Sequence, residues 1–185
     1  MRIVGGRLRG RPLATPTSQA IRPTAHRLRE SLFNILVHAY GDPIADARVL
    51  DLFAGTGALG LEALSRGAAF ALFIDEGAEA RALLRENVAT LGLGGTTRIF
   101  RRDATKLGAA HPIEAFSLAF LDPPYGRGLA EQALASARAG GWLAPGALVV
   151  VEEAATPGFA TAEGFDELER RNYDESALTV LRHRA

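Results

Sequence analysis

From residue 48 onward, short apolar runs alternate with helix-length amphipathic stretches. That alternation narrows the fold more than any other feature of the chain. "RVLDLF" (48–53) is β-branched and apolar; glycines follow, then "ALGLEALSRG" (58–67), helical in spacing and closed by Gly67. "AFALFID" (69–75), "TTRIFRRDA" (96–104), "FSLAFLD" (116–122) and "ALVVVEE" (147–153) read as further strands. "GAEARALLRENVATLGL" (77–93) puts Ala80, Leu83, Leu84, Val88 and Leu91 on one helical face, and "GLAEQALASARAGG" (128–141) is a helix stopped by glycines. Strands and helices of these lengths predict a parallel sheet covered by helices on both faces. The tail adds two strand-like pieces, near 165–173 and 177–183 with "DES" between, which reads as a hairpin on the sheet edge.

The front is different. "RIVGGRLRGRPLATP" reads as a small hairpin, and "RPTAHRLRESLFNILVHAYG" as a helix from about Thr24, with Thr24 as N-cap and Leu28, Ser31, Leu32, Ile35 and Leu36 inward. Residues 1–29 hold seven arginines and no acid, which leaves the remainder with 14 basic and 21 acidic residues. A basic arm on an acidic body points to a polyanion met by one end, and arginine suits forked contacts to phosphate and stacking on bases. With 185 residues the expectation is an arm at 1–23 and one domain at 24–185. No cysteine is present, so disulfides, thiolate zinc sites and a thiol nucleophile are excluded, and the four histidines have no metal-ligand spacing. Neither a signal-like leader nor a membrane-length apolar run is visible, so a cytoplasmic protein is expected, without metal or membrane partner, and monomeric because no apolar stripe stands out.

"DLFAGTGALG" places Gly55, Gly57 and Gly60 as G-x-G-x-x-G between a strand and a helix. Glycine permits the sharp turn and a close ligand approach, and the helix start offers unpaired N–H groups. A dinucleotide or S-adenosylmethionine can use such a loop, with Asp75 after the next strand holding ribose hydroxyls in either case. Two acids favour the methyl donor. Asp51, on the strand before the loop, can receive an ammonium group, which a nicotinamide cofactor lacks. Asp103-Ala104, ending the third strand, can accept from the adenine amine.

"LDPPYGRG" ends the fourth strand in a carboxylate, two prolines and an aromatic ring. A ring-conjugated amine is a poor nucleophile until it becomes more tetrahedral, and acceptors aimed at its N–H bonds favour that change. Asp122 supplies one acceptor and the Pro123 carbonyl another; the prolines stiffen the loop, and Tyr125 can stack on a planar base.

"DLFAGTGALGLEALSRGA" with "LDPPY" is similar to class I S-adenosylmethionine-dependent methyltransferases acting on exocyclic amines. "RIVGGRLRGRPLATP", "RPTAHRLRESLFNIL" and "GWLAPGALVVVEE" narrow it: the chain resembles the RsmD family from about residue 2 to 183. Those enzymes methylate N2 of a guanine in small-subunit (16S) ribosomal RNA. The resemblance implies a seven-stranded, Rossmann-like, mostly parallel sheet with an antiparallel last strand. It implies a methyl donor held by Asp51, Phe53, Gly55, Gly57, Asp75, Asp103 and Ala104, and a guanine amine held by Asp122, Pro123, Pro124 and Tyr125. Arg7, Arg9, Arg11, Arg22, Thr24 and Arg29 would meet RNA or close the site, the partner being ribosomal RNA in an assembling or assembled 30S subunit. Family members often have Glu at the place of Asp75 and Phe at that of Tyr125, and both changes keep the chemistry. The competing expectations are an amine methyltransferase on another RNA, DNA adenine or a protein glutamine, a nicotinamide-dependent oxidoreductase, and a non-catalytic RNA-binding factor.

Overall fold

The computed structural model describes residues 1–17 and 23–185, and for Pro23 and Thr24 the backbone alone. Arg22 lies outside the described residues, as does the Thr24 side chain. Helix α1 spans Pro23–Ala39. A proline suits the first helical position, where its missing N–H is not needed. Thr24 therefore sits inside the first turn and not at the cap. The inward face holds Leu28, Leu32, Ile35 and Leu36 as expected, together with Phe33.

The strands are β1 (Arg48–Leu52), β2 (Phe70–Ile74), β3 (Thr97–Phe100), β4 (Phe116–Leu121), β5 (Leu143–Ala154), β6 (Phe165–Tyr173) and β7 (Ser176–His183). The helices between them are α2 (Ala58–Ser65), α3 (Ala78–Leu91) and α4 (Leu129–Ala139). The sheet order is β3-β2-β1-β4-β5-β7-β6. Strands β1 to β5 pair in parallel, while β7 is antiparallel to both β5 and β6. The tail hairpin thus joins the sheet through its second strand. Its outer strand β6 is mostly exposed and carries Asp166, Glu167, Glu169, Arg170 and Arg171, charges that blunt an open sheet edge.

Side chains alternate across the sheet. Val49, Phe73, Phe120 and Val150 pack towards α1, α2 and α3, whereas Leu50, Leu72, Ala119 and Val149 pack towards α4 and the fully buried Trp142. Strand β3 is shorter than its sequence suggests. Its pairing ends at Phe100, and beyond it Asp103 accepts from the Thr105 N–H (2.8 Å) and hydroxyl (2.7 Å) in a side-chain turn.

The first 13 residues form the expected hairpin, with Ile3 N–H to Arg11 O at 2.9 Å and Gly10 N–H to Ile3 O at 2.8 Å. Ile3, Leu8 and Leu13 are buried in the core on the α2 side. Glu62 of α2, with no exposed surface, accepts from the N–H groups of Val4 (2.9 Å) and Gly5 (2.8 Å) and from Arg66 Nε (2.9 Å). Arg29 Nε lies 3.6 Å from the same carboxylate.

Candidate active site

The parallel strands aim their C-terminal ends at one edge, where open α/β sheets bind ligands. β1 ends at Leu52 opposite Leu121 of β4, so the glycine loop and the Asp122 loop start one strand spacing, about 4.8 Å, apart. Phe53, Gly55 and Gly57 all have positive φ (58°, 58° and 82°), which winds the chain tightly into α2. A Cβ at Gly57 would overlap Leu84 Cδ1, whereas one at Gly55 would meet nothing within 4 Å. One glycine lets the loop pack on α3, and the other leaves its outer surface bare.

Asp75 ties this loop to β2. Its Oδ2 accepts from the Gly55 N–H (2.9 Å) and its Oδ1 from the Gly77 N–H (2.8 Å). Asp51 is 1% exposed, and its Oδ2 accepts from the Gly60 N–H at 3.0 Å in the first turn of α2. Burial pushes its carboxyl up to about 8; the Gly60 N–H opposes this and the Asp75 charge adds to it. Asp103 keeps Oδ2 without a hydrogen bond among the described residues, because both of its bonds fall on Oδ1. Those two bonds, to the Thr105 hydroxyl and N–H, hold its carboxyl below the usual range. Ala104 is buried beside it.

After β4, Pro123 is buried, and Asp122, Pro124 and Tyr125 face outward. The loop is moored to β5. The Tyr125 hydroxyl donates to Glu152 Oε1 at 2.6 Å, and the Gly126 N–H donates to Glu153 Oε1 at 3.0 Å. Burial pushes the Asp122 carboxyl well up, and the charges of Glu152, Asp51 and Glu153 push it further. Asp122 remains open to the cleft, so water relieves part of the burial effect, and the crowding of acids sustains the direction. Burial likewise raises Glu152, while its bonds from Tyr125 and Asp122 lower it.

The structure therefore brings Asp51, Gly55, Asp75 and Asp122 to one edge, with Phe53, Gly57 and Tyr125 on the same loops. Asp103 stands past β3, two strands from β1. Arg7, Arg9 and Arg11 are exposed on the hairpin, and Arg11 Nη2 donates to Thr90 O at 2.8 Å. Arg29 departs from the expectation. It is 5% exposed, paired with Glu62 and donating to Arg2 O, so its guanidinium holds the hairpin down and does not face a ligand.

Glu152 and Glu153 were not among the expected site residues, although "VVVEE" ends a buried strand in acids just as "AFLD" does. Asn87, 1% exposed, was also missed: it donates to Thr56 O (3.0 Å) in the glycine loop and accepts from the Ala14 N–H (2.6 Å). Its sequence signal is a lone amide on the inward face of α3. Among the described residues no group of three or more His, Cys, Asp or Glu could hold a metal, and no helix is long and apolar enough to cross a membrane.

The groups present fit an adenosine-bearing ligand: a bare glycine turn, a carboxylate at the end of β2 for hydroxyls, and a free Asp103 oxygen for an amine. Sheet order, glycine loop and Asp-Pro-Pro-Tyr loop together define a class I S-adenosylmethionine-dependent methyltransferase fold. Residues 1–182 match the family model described as Conserved hypothetical protein 95. The chain is 43% identical over 161 residues to the ribosomal RNA small subunit methyltransferase D of Escherichia coli K12, covering 87% of this chain and 78% of that one. It is 35% identical over 173 residues to the enzyme of the same name from Haemophilus influenzae, covering 92% and 88%. The solved structure of the Escherichia coli protein yhhF superposes with a TM-score of 0.84 at 37% identity, covering 100% of this chain and 98% of that one. The chain belongs to this family, the RsmD methyltransferases.

Proposed function

We propose that this protein transfers a methyl group from S-adenosylmethionine to the exocyclic N2 amine of a guanine in small-subunit ribosomal RNA. The observation that carries the reading is the placement of the Asp122 loop beside the glycine loop, on neighbouring strands whose last residues are in register. The names of the relatives support ribosomal RNA as the substrate. When bound, the donor supplies an electrophilic methyl group. The chain's own residues do the rest. Asp75 and Asp103 take hydroxyls and the adenine amine, and the exposed face of Gly55 lets the ligand approach the backbone. Asp51, Phe53, Gly57 and Ala104 shape that pocket.

Asp122 and the Pro123 carbonyl accept the two N–H bonds of the guanine amine and so favour its tetrahedral form in the transition state. Pro123 and Pro124 limit the loop's motion, and the outward Tyr125 ring offers a face to the base. Arg7, Arg9 and Arg11 contact the RNA backbone, with Arg22 and Thr24 further along the same basic segment. The working form is a cytoplasmic monomer acting on ribosomal RNA within a 30S particle.

The test is transfer of labelled methyl from S-adenosylmethionine to ribosomal RNA or 30S particles lacking the mark, with the product nucleoside identified by mass spectrometry. N2-methylguanosine is expected; methyladenosine or no nucleoside product would refute the reading. Asp122→Ala is expected to lower kcat by about 100- to 1,000-fold, with donor affinity retained.

A further inference from the structure

The stretch "DPPYGRG" contains an arginine, Arg127, to which the chemistry of Asp122, the prolines and Tyr125 gives no task. We propose that Arg127 is a substrate-positioning residue whose guanidinium grips the phosphate of the target nucleotide at the mouth of the site. The inference rests on the function proposed above.

Arg127 is the one lysine or arginine between Lys106 and Arg138, and it stands two residues beyond Tyr125. Two residues of chain span no more than about 7 Å, so its backbone stays close to the ring offered to the base. That backbone is fixed from both sides. Gly126 and Gly128 have positive φ (72° and 67°). The Gly126 N–H donates to Glu153 Oε1 at 3.0 Å, and the Gly128 carbonyl accepts from Gln132 Nε2 (3.1 Å) of α4. The side chain is not fixed in the same way. It is exposed and, among the described residues, makes no ion pair. Asp122, Glu152 and Glu153 stand on the same loop or behind it, and none of them has claimed the guanidinium.

The neighbouring arginines are committed elsewhere. Arg81 donates to the Asp75 and Glu76 carbonyls, and Arg102 to the Leu107 carbonyl. The hairpin arginines sit at the far ends of the helices. The Arg7 N–H donates to the carbonyl of Ser65, the last residue of α2, and the Arg11 guanidinium to that of Thr90, the next to last of α3. Eight helical residues are about 12 Å long, so the hairpin lies about that far from the glycine loop. It can hold RNA, but not the nucleotide that enters the site. To place N2 between Asp122 and the Pro123 carbonyl, the guanine must leave its stack, and an extruded nucleotide carries its phosphate to the pocket mouth. That anion approaches an edge lined with carboxylates. A forked guanidinium on the rim offsets their repulsion and fixes the phosphate, and through it the base, in one place.

The test compares wild type with Arg127→Ala and Arg127→Lys, at an exposed position where neither change disturbs the core. In methyl transfer to ribosomal RNA or 30S particles lacking the mark, Arg127→Ala is expected to raise KM for RNA by about 10- to 100-fold, the scale of one charged hydrogen-bonded contact, with kcat little changed. In filter binding, its slope of log K against log salt is expected to flatten by about 0.7. Arg127→Lys keeps the charge but not the fork, and is expected to restore the salt slope and part of KM. Donor affinity by calorimetry and Tm should match wild type in both variants. Phosphate-ethylation interference on the same RNA locates the contact. Ethylation of a phosphate adjoining the methylated guanosine is expected to block wild-type binding and to have no effect on Arg127→Ala. An unchanged KM and slope, or the same interference pattern in both proteins, would overturn the proposal. So would a loss of donor affinity, which would put the guanidinium on the donor. If wild type makes no N2-methylguanosine, the functional reading fails, while the loss of one interfering phosphate in Arg127→Ala still decides whether this residue holds RNA.

Discussion

Replacing Glu62 with Ala gives a measurable prediction about what holds the basic hairpin in place. The substitution removes the acceptor for two backbone N–H groups and two guanidinium groups at once. Arg66 is 15% exposed and can turn to water, but Arg29, at 5%, cannot. Leaving a buried charge without its partner costs about 3–5 kcal/mol. The hairpin could in principle lift away and let water in. That would expose Ile3, Leu8 and Leu13, at about 1.5–3 kcal/mol each. Lifting is the dearer route, so the hairpin stays down and the whole fold carries the loss. For a chain of this size about 2–4 °C of Tm accompanies each kcal/mol, so Tm should fall by about 6–20 °C. Glu62→Gln keeps one acceptor oxygen and should lose less. The assay is thermal unfolding followed by circular dichroism, with limited trypsin digestion at Arg7 and Arg9 below the transition. A Tm within about 2 °C of wild type, with cleavage confined to the hairpin, would show that the hairpin detaches freely, and the reasoning would be refuted.

Asp51 makes stability depend on pH. Its folded pKa, about 8, lies above the ordinary 3.8, so its contribution is full below 3.8 and is lost as pH rises through about 8. Ligand-free protein should therefore unfold at lower urea as pH rises through that window, and Asp51→Asn should flatten the trend; equal slopes would count against the assignment. Gly57→Ala places a Cβ on Leu84 at a φ of 82°, and should cost about 1–3 kcal/mol in urea unfolding while weakening donor binding in calorimetry. Replacing Arg7, Arg9 and Arg11 with Ala should weaken RNA binding without altering donor affinity. The salt dependence of log K should flatten by about 0.7 for each lost phosphate contact, and an unchanged slope would place the RNA elsewhere.

The strands were legible because buried parallel strands read as apolar runs, and "RVLDLF", "FSLAFLD" and "ALVVVEE" are such runs. The glycine loop was legible because a left-handed turn at Gly57 demands that residue. Partners across space were not. Arg29 looks like its exposed neighbours in a basic segment, and only the fold shows that Glu62, far along the chain, has claimed it. Strand order was hidden for the same reason. Apolar alternation marks β7 as a strand, but nothing local says that it lies between β5 and β6. Thr24 was read as the cap although it is the second residue of α1, since a hydroxyl near a helix start competes as a signal with the adjacent proline.

The position of β7 bears on the order in which the molecule assembles. β6 cannot join the sheet before β7, because it has no pairing with β5 of its own. The hairpin closes locally through Asp174 and Glu175, a short-range event, and then docks along β5 as a unit. Ser176, at its tip, pairs with Ala154 of β5 only in that docking step. A chain halted before docking would hold β1 to β5 in parallel order and a formed glycine loop, while Glu152, which accepts the Tyr125 hydroxyl, stood without β7 beside it. Donor binding would then be gained earlier in folding than catalytic competence.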